Sequence, residues 1–221
     1  MQNAAGKSEA QGRLKLVVLG ATGATGLEVV RQATERGHSV TAFVRAPEPL
    51  GALRNQIAVK KGDLLDSPQL AQAIEGHDVV ISTFGPRLPV SKADAHLLEK
   101  FAGALTIAME RTGFRRVVVE SVAFLFKDSI IPPAYLLGKL FFPTIVADSD
   151  AMERIFYESG LDWTIVRPPE LTNKPHTGKY RVREGHLPRF GFKISRCDVA
   201  DFMIRSAENH FTIRKIFGVS Q

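Results

Sequence analysis

The sequence predicts an α/β protein: one domain built on a doubly wound parallel sheet. Three observations carry that expectation. Short β-branched, apolar runs alternate along the chain with longer stretches of helical spacing, as repeated strand–helix–strand units require. One of those runs, Asp78 to Ser82, is almost continuously apolar, the mark of a strand covered on both faces. With 221 residues, 44% of them hydrophobic, the chain can also bury a sizeable core without a second domain.

The first unit is the most informative. Lys15-Leu16-Val17-Val18-Leu19 runs into Gly20-Ala21-Thr22-Gly23-Ala24-Thr25-Gly26, and apolar residues then recur at Leu27, Val30 and Ala33 with helical spacing. This reads as strand, tight turn, helix. Three glycines in such a turn let the backbone approach a bound pyrophosphate, whose charge is attracted by the helix's unpaired N–H groups and positive dipole end. A glycine triplet alone is weak evidence, because a tight β-to-α turn also uses glycine as punctuation, but here the flanking strand and helix are both present.

Composition narrows the remaining classes. Cys197 is the single cysteine, which excludes an intramolecular disulfide framework and a multi-cysteine metal site and suits a reducing compartment. His176 and His186 have no metal-ligand partners at useful spacing. No apolar run reaches the ~20 residues of a spanning helix, so no membrane span is expected. Met1 to Arg13 lacks a signal peptide's apolar centre and reads as a frayed tail ahead of a domain at 14–221 in the cytoplasm. The net charge of +6 invites a nucleic-acid reading. Its basic residues are scattered, however, without interleaved aromatics, and such a surface steers an anionic small molecule equally well.

Taken in order, the first helix should end near Arg36, with Gly37 closing it. A second strand, Ser39 to Val44, delivers Arg45, where a cation accommodates a ribose 2′-phosphate and an acid would hold a 2′-hydroxyl. NADP(H) is therefore expected over NAD(H), since the guanidinium grips a phosphate at two points. Ala46 to Asn55 reads as a connector with little regular structure. A third strand, Ile57 to Lys60, brings Gly62-Asp63-Leu64 to the same edge, where Asp63 would accept from an adenine amino group and Leu64 pack on the base. Asp63 is equally a turn residue, and Asp66-Ser67-Pro68 is a helix start. After the strand Asp78 to Ser82, Thr83-Phe84-Gly85-Pro86-Arg87 should line the cofactor channel, with Gly85 permitting close approach and Arg87 meeting phosphate or substrate. A core-facing helix from Asp94 to Thr112 follows, then a strand, Val117 to Val119, presenting Glu120-Ser121-Val122 at the active edge.

These residues together resemble the atypical short-chain dehydrogenase/reductases of the NAD(P)-binding, NmrA-like group, and among them the flavin and biliverdin-IXβ reductases. The carrying segments are the glycine motif, Val44-Arg45, Gly62-Asp63-Leu64, Phe84-Gly85-Pro86-Arg87, Ala123-Phe124-Leu125, Glu158-Ser159-Gly160-Leu161 leading to Pro168-Pro169, Thr177-Gly178-Lys179-Tyr180, and Ile194-Ser195-Arg196-Cys197-Asp198. The resemblance implies NADPH across the glycine turn and hydride transfer to a planar conjugated acceptor, which needs little from a dedicated proton donor. Gly20, Thr22, Gly23, Ala24, Thr25, Gly26, Arg45, Asp63, Leu64, Phe84, Gly85, Arg87, Ser121 and Pro168 would then hold cofactor, and Val122, Phe124 and Glu170 would meet substrate. The chain departs from the group at two positions and in a longer, more apolar segment, Ile130 to Val146. The group's serine before Ala-Phe-Leu falls on Val122, with Ser121 adjacent, and a histidine after the Pro-Pro pair falls on Glu170.

Tyr135-Leu136-Leu137-Gly138-Lys139 has the Tyr-x-x-x-Lys spacing of ordinary short-chain dehydrogenases, fourteen positions after Ser121. On a helix the ammonium could lower the tyrosine pKa and make it a proton donor. The same stretch, Ile130 to Val146, also reads as an apolar lid with a snorkelling lysine, because Pro143 interrupts it and the next helix starts at Asp148. Segments 122–147 and 170–194 are expected to cover substrate, the polar, basic stretch from Leu171 to Phe192 with short strands. Ser195 and Asp198 read as a capping pair for the last helix. The expectation is thus a cytoplasmic, monomeric NADPH-dependent reductase of conjugated acceptors. Its alternatives are an NADP(H)-sensing regulatory protein without turnover, and a carbonyl reductase using Ser121, Tyr135 and Lys139.

Overall fold

A computed structural model describes residues 12–86, 96–126 and 140–221 of the chain. Its centre is an eight-stranded sheet whose strands, in chain order, are β1 (Lys15–Leu19), β2 (Ser39–Val44), β3 (Ala58–Lys61), β4 (Val79–Ser82), β5 (Arg116–Glu120), β6 (Asp162–Arg167), β8 (Arg181–Glu184) and β10 (Lys215–Ser220). They lie in the order β3-β2-β1-β4-β5-β6-β10-β8, and a separate parallel pair joins β7 (Glu170–Thr172) to β9 (Lys193–Ser195). The strand order reverses direction between β1 and β4, where an open α/β sheet leaves a crevice beyond its carboxyl ends.

Alternation along the strands builds two cores. Val17, Leu19, Val80, Val117, Val119 and Ile165 face a layer made by α2 (Ser67–Ile74), α3 (Leu97–Thr112) and α4 (Pro143–Glu158). Leu16, Val18, Val79, Ile81, Val118 and Val166 face α1 (Ala24–Glu35) and α5 (Arg196–Glu208). Burying each such side chain contributes about 1.5–3 kcal/mol, so successive residues of one strand secure opposite layers.

Several boundaries differ from expectation. The sheet is not wholly parallel: β8, within the stretch where short strands are expected, pairs antiparallel with β10 at the edge, and β10 itself is a strand the sequence reading does not anticipate. Residues 46–55 contain 3₁₀ turns over Glu48–Asn55, because Leu50 is drawn into the core while Gly51, at φ 53°, turns the chain. The edge strand β3 is shifted by one residue, to Ala58–Lys61. The helix expected from Asp148 begins at Pro143 instead; proline interrupts a helix in its interior but suits its first turn, where its missing N–H would have no partner. The described part of the helix expected from Asp94 begins at Leu97. Ser195 and Asp198 do cap α5, with Ser195 Oγ accepting from Asp198 N at 3.0 Å.

Candidate cofactor and active site

The turn between β1 and α1 is held before any ligand is considered. Gly20 has φ +76°, and a Cβ there would lie 2.7 Å from Phe84 N and 2.8 Å from Thr83 C. At Gly26 a Cβ would lie 2.2 Å from Gly20 O. These two glycines answer to packing of the turn on the loop after β4, which Thr83 ties down by donating to the carbonyls of Leu19 and Gly20, both at 3.3 Å. Gly23 differs. It is exposed, its φ is −77°, and an added Cβ would meet only Gly20 O at 3.3 Å. Its missing side chain leaves open the space in front of α1, whose first turn has neither a side-chain cap nor an acidic residue. The leading amides of a helix have no intrahelical partners, so this end suits a diphosphate.

Around it, the carboxyl ends of β2, β3 and β4 bring the expected rim residues to one edge. Thr22 is half-buried, Ala24 is exposed and Thr25 is buried in the turn itself. Arg45 is exposed directly after β2, with no ion-pair or hydrogen-bond partner among the described residues. Asp63 is exposed, and its Oδ1 accepts from Leu65 N at 3.0 Å in a local turn. Leu64 is 7% exposed and belongs to the core, so the expected packing of Leu64 on a base meets a side chain already occupied. Phe84 packs against Phe101 with the rings tilted at 56° and their centroids 4.9 Å apart, while Gly85 is exposed with open space about it.

At the end of β5 two neighbouring residues turn to opposite layers. Glu120 reaches α1, accepting a 3.4 Å bond from Thr25 Oγ1. Burial pushes its carboxyl up to about 7, against the opposing pull of Arg196 and of the Thr25 bond. Ser121, 7% exposed, donates from Oγ to Glu153 Oε1 of α4 at 2.5 Å. Glu153 is 1% exposed and is gripped at two points by Arg167, the last residue of β6, through Nε at 2.9 Å and through Nη2. Tyr157, one turn on, donates to Glu153 Oε2 and accepts from Arg167 Nη2 at 3.1 Å. Burial and then the Glu153 charge hold its phenol above the ordinary range; Arg167, which burial alone would lower, is raised by Glu153.

Beyond Ser121 the backbone is fixed from β6. Ser121 N donates to Val166 O at 2.8 Å and Ala123 N to Pro168 O at 3.0 Å, so buried Pro168 sits beside this turn. Val122 is half-buried, and the Phe124 ring stacks on Phe142 at 5.9 Å between centroids, with Phe142 42% exposed. Glu170, expected against substrate, is exposed in β7 and pairs with Lys193 at 3.3 Å. Arg87, Tyr135 and Lys139 lie outside the described residues. Asp198 holds the Thr177–Gly178 loop as well as the helix cap. Burial would raise it, but bonds from the Thr177 and Gly178 amides, both 2.9 Å, hold it below its ordinary value.

Sequence reading missed Glu153, Arg167, Tyr157 and Phe142. The signal was present: a carboxylate between Met152 and Phe156 on an otherwise core-facing helix, and an arginine ending an apolar strand, are two charges that survive burial only by pairing.

Known proteins agree with this architecture. The NAD(P)H-binding family matches residues 20–210. An uncharacterised chloroplastic protein of Arabidopsis thaliana is 31% identical over 90% of this chain and 75% of its own length. An uncharacterised sugar epimerase of Bacillus subtilis is 29% identical over 94% of both. Among solved structures, a wide-type short-chain dehydrogenase/reductase of Veillonella parvula in complex with NADP superposes with TM-score 0.80 at 19% identity, covering 95% of each chain. An anaerobilin reductase of Escherichia coli O157:H7 gives 0.77 at 20%, covering 93% of this chain and 96% of that one. No helix among the described residues is long and apolar enough to cross a membrane. With a glycine turn at the crevice of a doubly wound sheet and a match along most of its length, the chain belongs to the NAD(P)H-binding family.

Proposed function

We propose that this protein is a cytoplasmic NADPH-dependent reductase of planar conjugated acceptors, of the flavin or linear-tetrapyrrole class. The observation that carries the reading is the stacked Phe124–Phe142 pair, three residues past Ser121 and partly open to solvent, which offers a flat apolar face to a flat substrate. A bound NADPH supplies the hydride, and the acceptor takes its proton from water. Three features of the chain suit that division. Gly23 and the leading amides of α1 bind the diphosphate, and Arg45, having no partner of its own among the described residues, takes the 2′-phosphate. Ser121 spends its proton on Glu153 rather than on substrate. The Tyr157 phenol is held above its ordinary range, which makes it a poor proton donor.

The test is to mix purified protein with NADPH and FMN, riboflavin, biliverdin or a quinone and to follow loss of the reduced-nicotinamide absorbance. Turnover with a flavin or tetrapyrrole is expected. No turnover across the panel sinks the proposal, and interconversion of a nucleotide sugar without net nicotinamide oxidation replaces it with an epimerase.

A further inference from the structure

A serine hydroxyl has one proton and two lone pairs. Paired at two points with a guanidinium, the Glu153 carboxylate offers only acceptors, so the 2.5 Å contact requires Ser121 to be the donor. Its lone pairs are what remains for any other partner. The hydroxyl cannot rotate away without leaving Glu153 short of a bond in a buried site, where an unmade bond is costly. Glu153 is itself immobile: Arg167 fixes both its oxygens, Tyr157 closes the second, and the Arg167 guanidinium lies 4.7 Å over the Phe126 ring. Ser121 follows β5, Glu153 and Tyr157 lie on α4 and Arg167 ends β6, so the arrangement ties the Ser121 turn to two consecutive elements later in the chain.

We propose that Glu153, Arg167 and Tyr157 are positioning residues that lock Ser121 as a hydrogen-bond acceptor for the carboxamide NH₂ of the nicotinamide. The inference rests on the cofactor assignment above. The sheet order supports the placement. Ser121 follows β5, two strands from the glycine turn through β4, which at about 4.8 Å per strand is roughly the span from a dinucleotide's phosphates toward its nicotinamide. The polarity supports the ligand group, because an acceptor-only hydroxyl suits an amide NH₂ and repels a carbonyl oxygen. A lock of this kind selects one orientation of the ring, and hence which face of it meets the acceptor.

Calorimetric affinities for NADPH and for 2′,5′-ADP, which lacks the nicotinamide end, separate positioning from mere folding. Glu153→Gln is expected to weaken NADPH about tenfold, the equivalent of one hydrogen bond, and to leave 2′,5′-ADP unchanged. In a Ser121→Ala background the same substitution should have no further effect on NADPH, while Ser121→Thr retains most of the affinity. Tyr157→Phe provides a milder probe should Glu153→Gln fail to fold, with a smaller loss again confined to NADPH. Equal weakening of both ligands, or a Glu153→Gln effect undiminished without the Ser121 hydroxyl, overturns the lock. Wild-type protein that binds both ligands but reduces no acceptor refutes the reductase assignment and leaves the lock standing. Failure of wild-type protein to bind either ligand refutes both.

Discussion

Asp148, in the second turn of α4, caps a helix that is not its own. Its carboxylate accepts from the backbone N–H groups of Leu98 at 2.8 Å and Glu99 at 3.0 Å, the first two residues that α3 leaves without an intrahelical acceptor beyond Leu97. The preceding residue, His96, supplies no side-chain cap and sits at φ 61°. Replacing Asp148 by Ala therefore removes the cap of α3 and part of its docking on α4. About 2 kcal/mol should be lost, lowering Tm by roughly 4–8 °C in thermal unfolding. Asp148→Asn, which keeps one good acceptor, should cost less than half of that. Equal losses for the two variants would contradict the cap.

The glycines of the first turn should separate into two kinds. Gly26→Ala places a Cβ 2.2 Å from the Gly20 carbonyl and should yield little folded protein. Gly23→Ala meets nothing nearer than 3.3 Å, so its Tm should stay within a few degrees of wild type, while affinity for NADPH falls roughly tenfold or more as the methyl fills the phosphate space. Thermal unfolding and calorimetry on the same preparations would check both, and an unaltered affinity in Gly23→Ala would remove the diphosphate from this turn.

Arg45→Ala should weaken NADPH by about 10- to 100-fold, the range of a charge-assisted hydrogen-bonded contact, and leave NADH affinity nearly unchanged. Parallel titrations with the two cofactors provide the comparison. Equal losses for both would place the guanidinium elsewhere on the ribose or on the fold.

Glu120 gives the protein a pH signature with a defined sign. Its folded pKa of about 7 stands above the ordinary 4.5, because burial disfavours the charged form. Between these values the folded chain holds a proton that the unfolded chain has released, so the contribution of this group to stability falls as pH rises and stops changing above about 7. Glu120→Gln removes the slope. Unfolding midpoints at about pH 5 and about pH 8 should show the variant gaining on wild type at the higher pH; a constant difference would mean that Glu120 titrates normally.

How much could be read along the chain depends on range. The strand runs, the Gly37 and Gly113 helix ends, the Ser195–Asp198 cap and the Asp66 cap of α2 are set by neighbours within a few positions, and they appear where spacing and residue type place them. Pro143 was misread because a proline's effect depends on its distance from a helix start, and that start is set by where α4 docks. A short strand between Leu171 and Phe192 is legible, but that β8 joins the main sheet antiparallel to β10 is set by docking at the edge, which an exposed strand without apolar alternation does not encode.

By itself, the sequence determined the α/β class, the glycine turn at residues 20–26 and the cation after the second strand, since each is written in local spacing and backbone tolerance. Tertiary structure alone decided which polar groups share a buried space: Ser121 with Glu153, Arg167 and Tyr157, and Asp148 with the start of α3. A charge buried in the core must find a partner, but the partner can come from any element the fold brings within about 3 Å, and no local pattern encodes that choice.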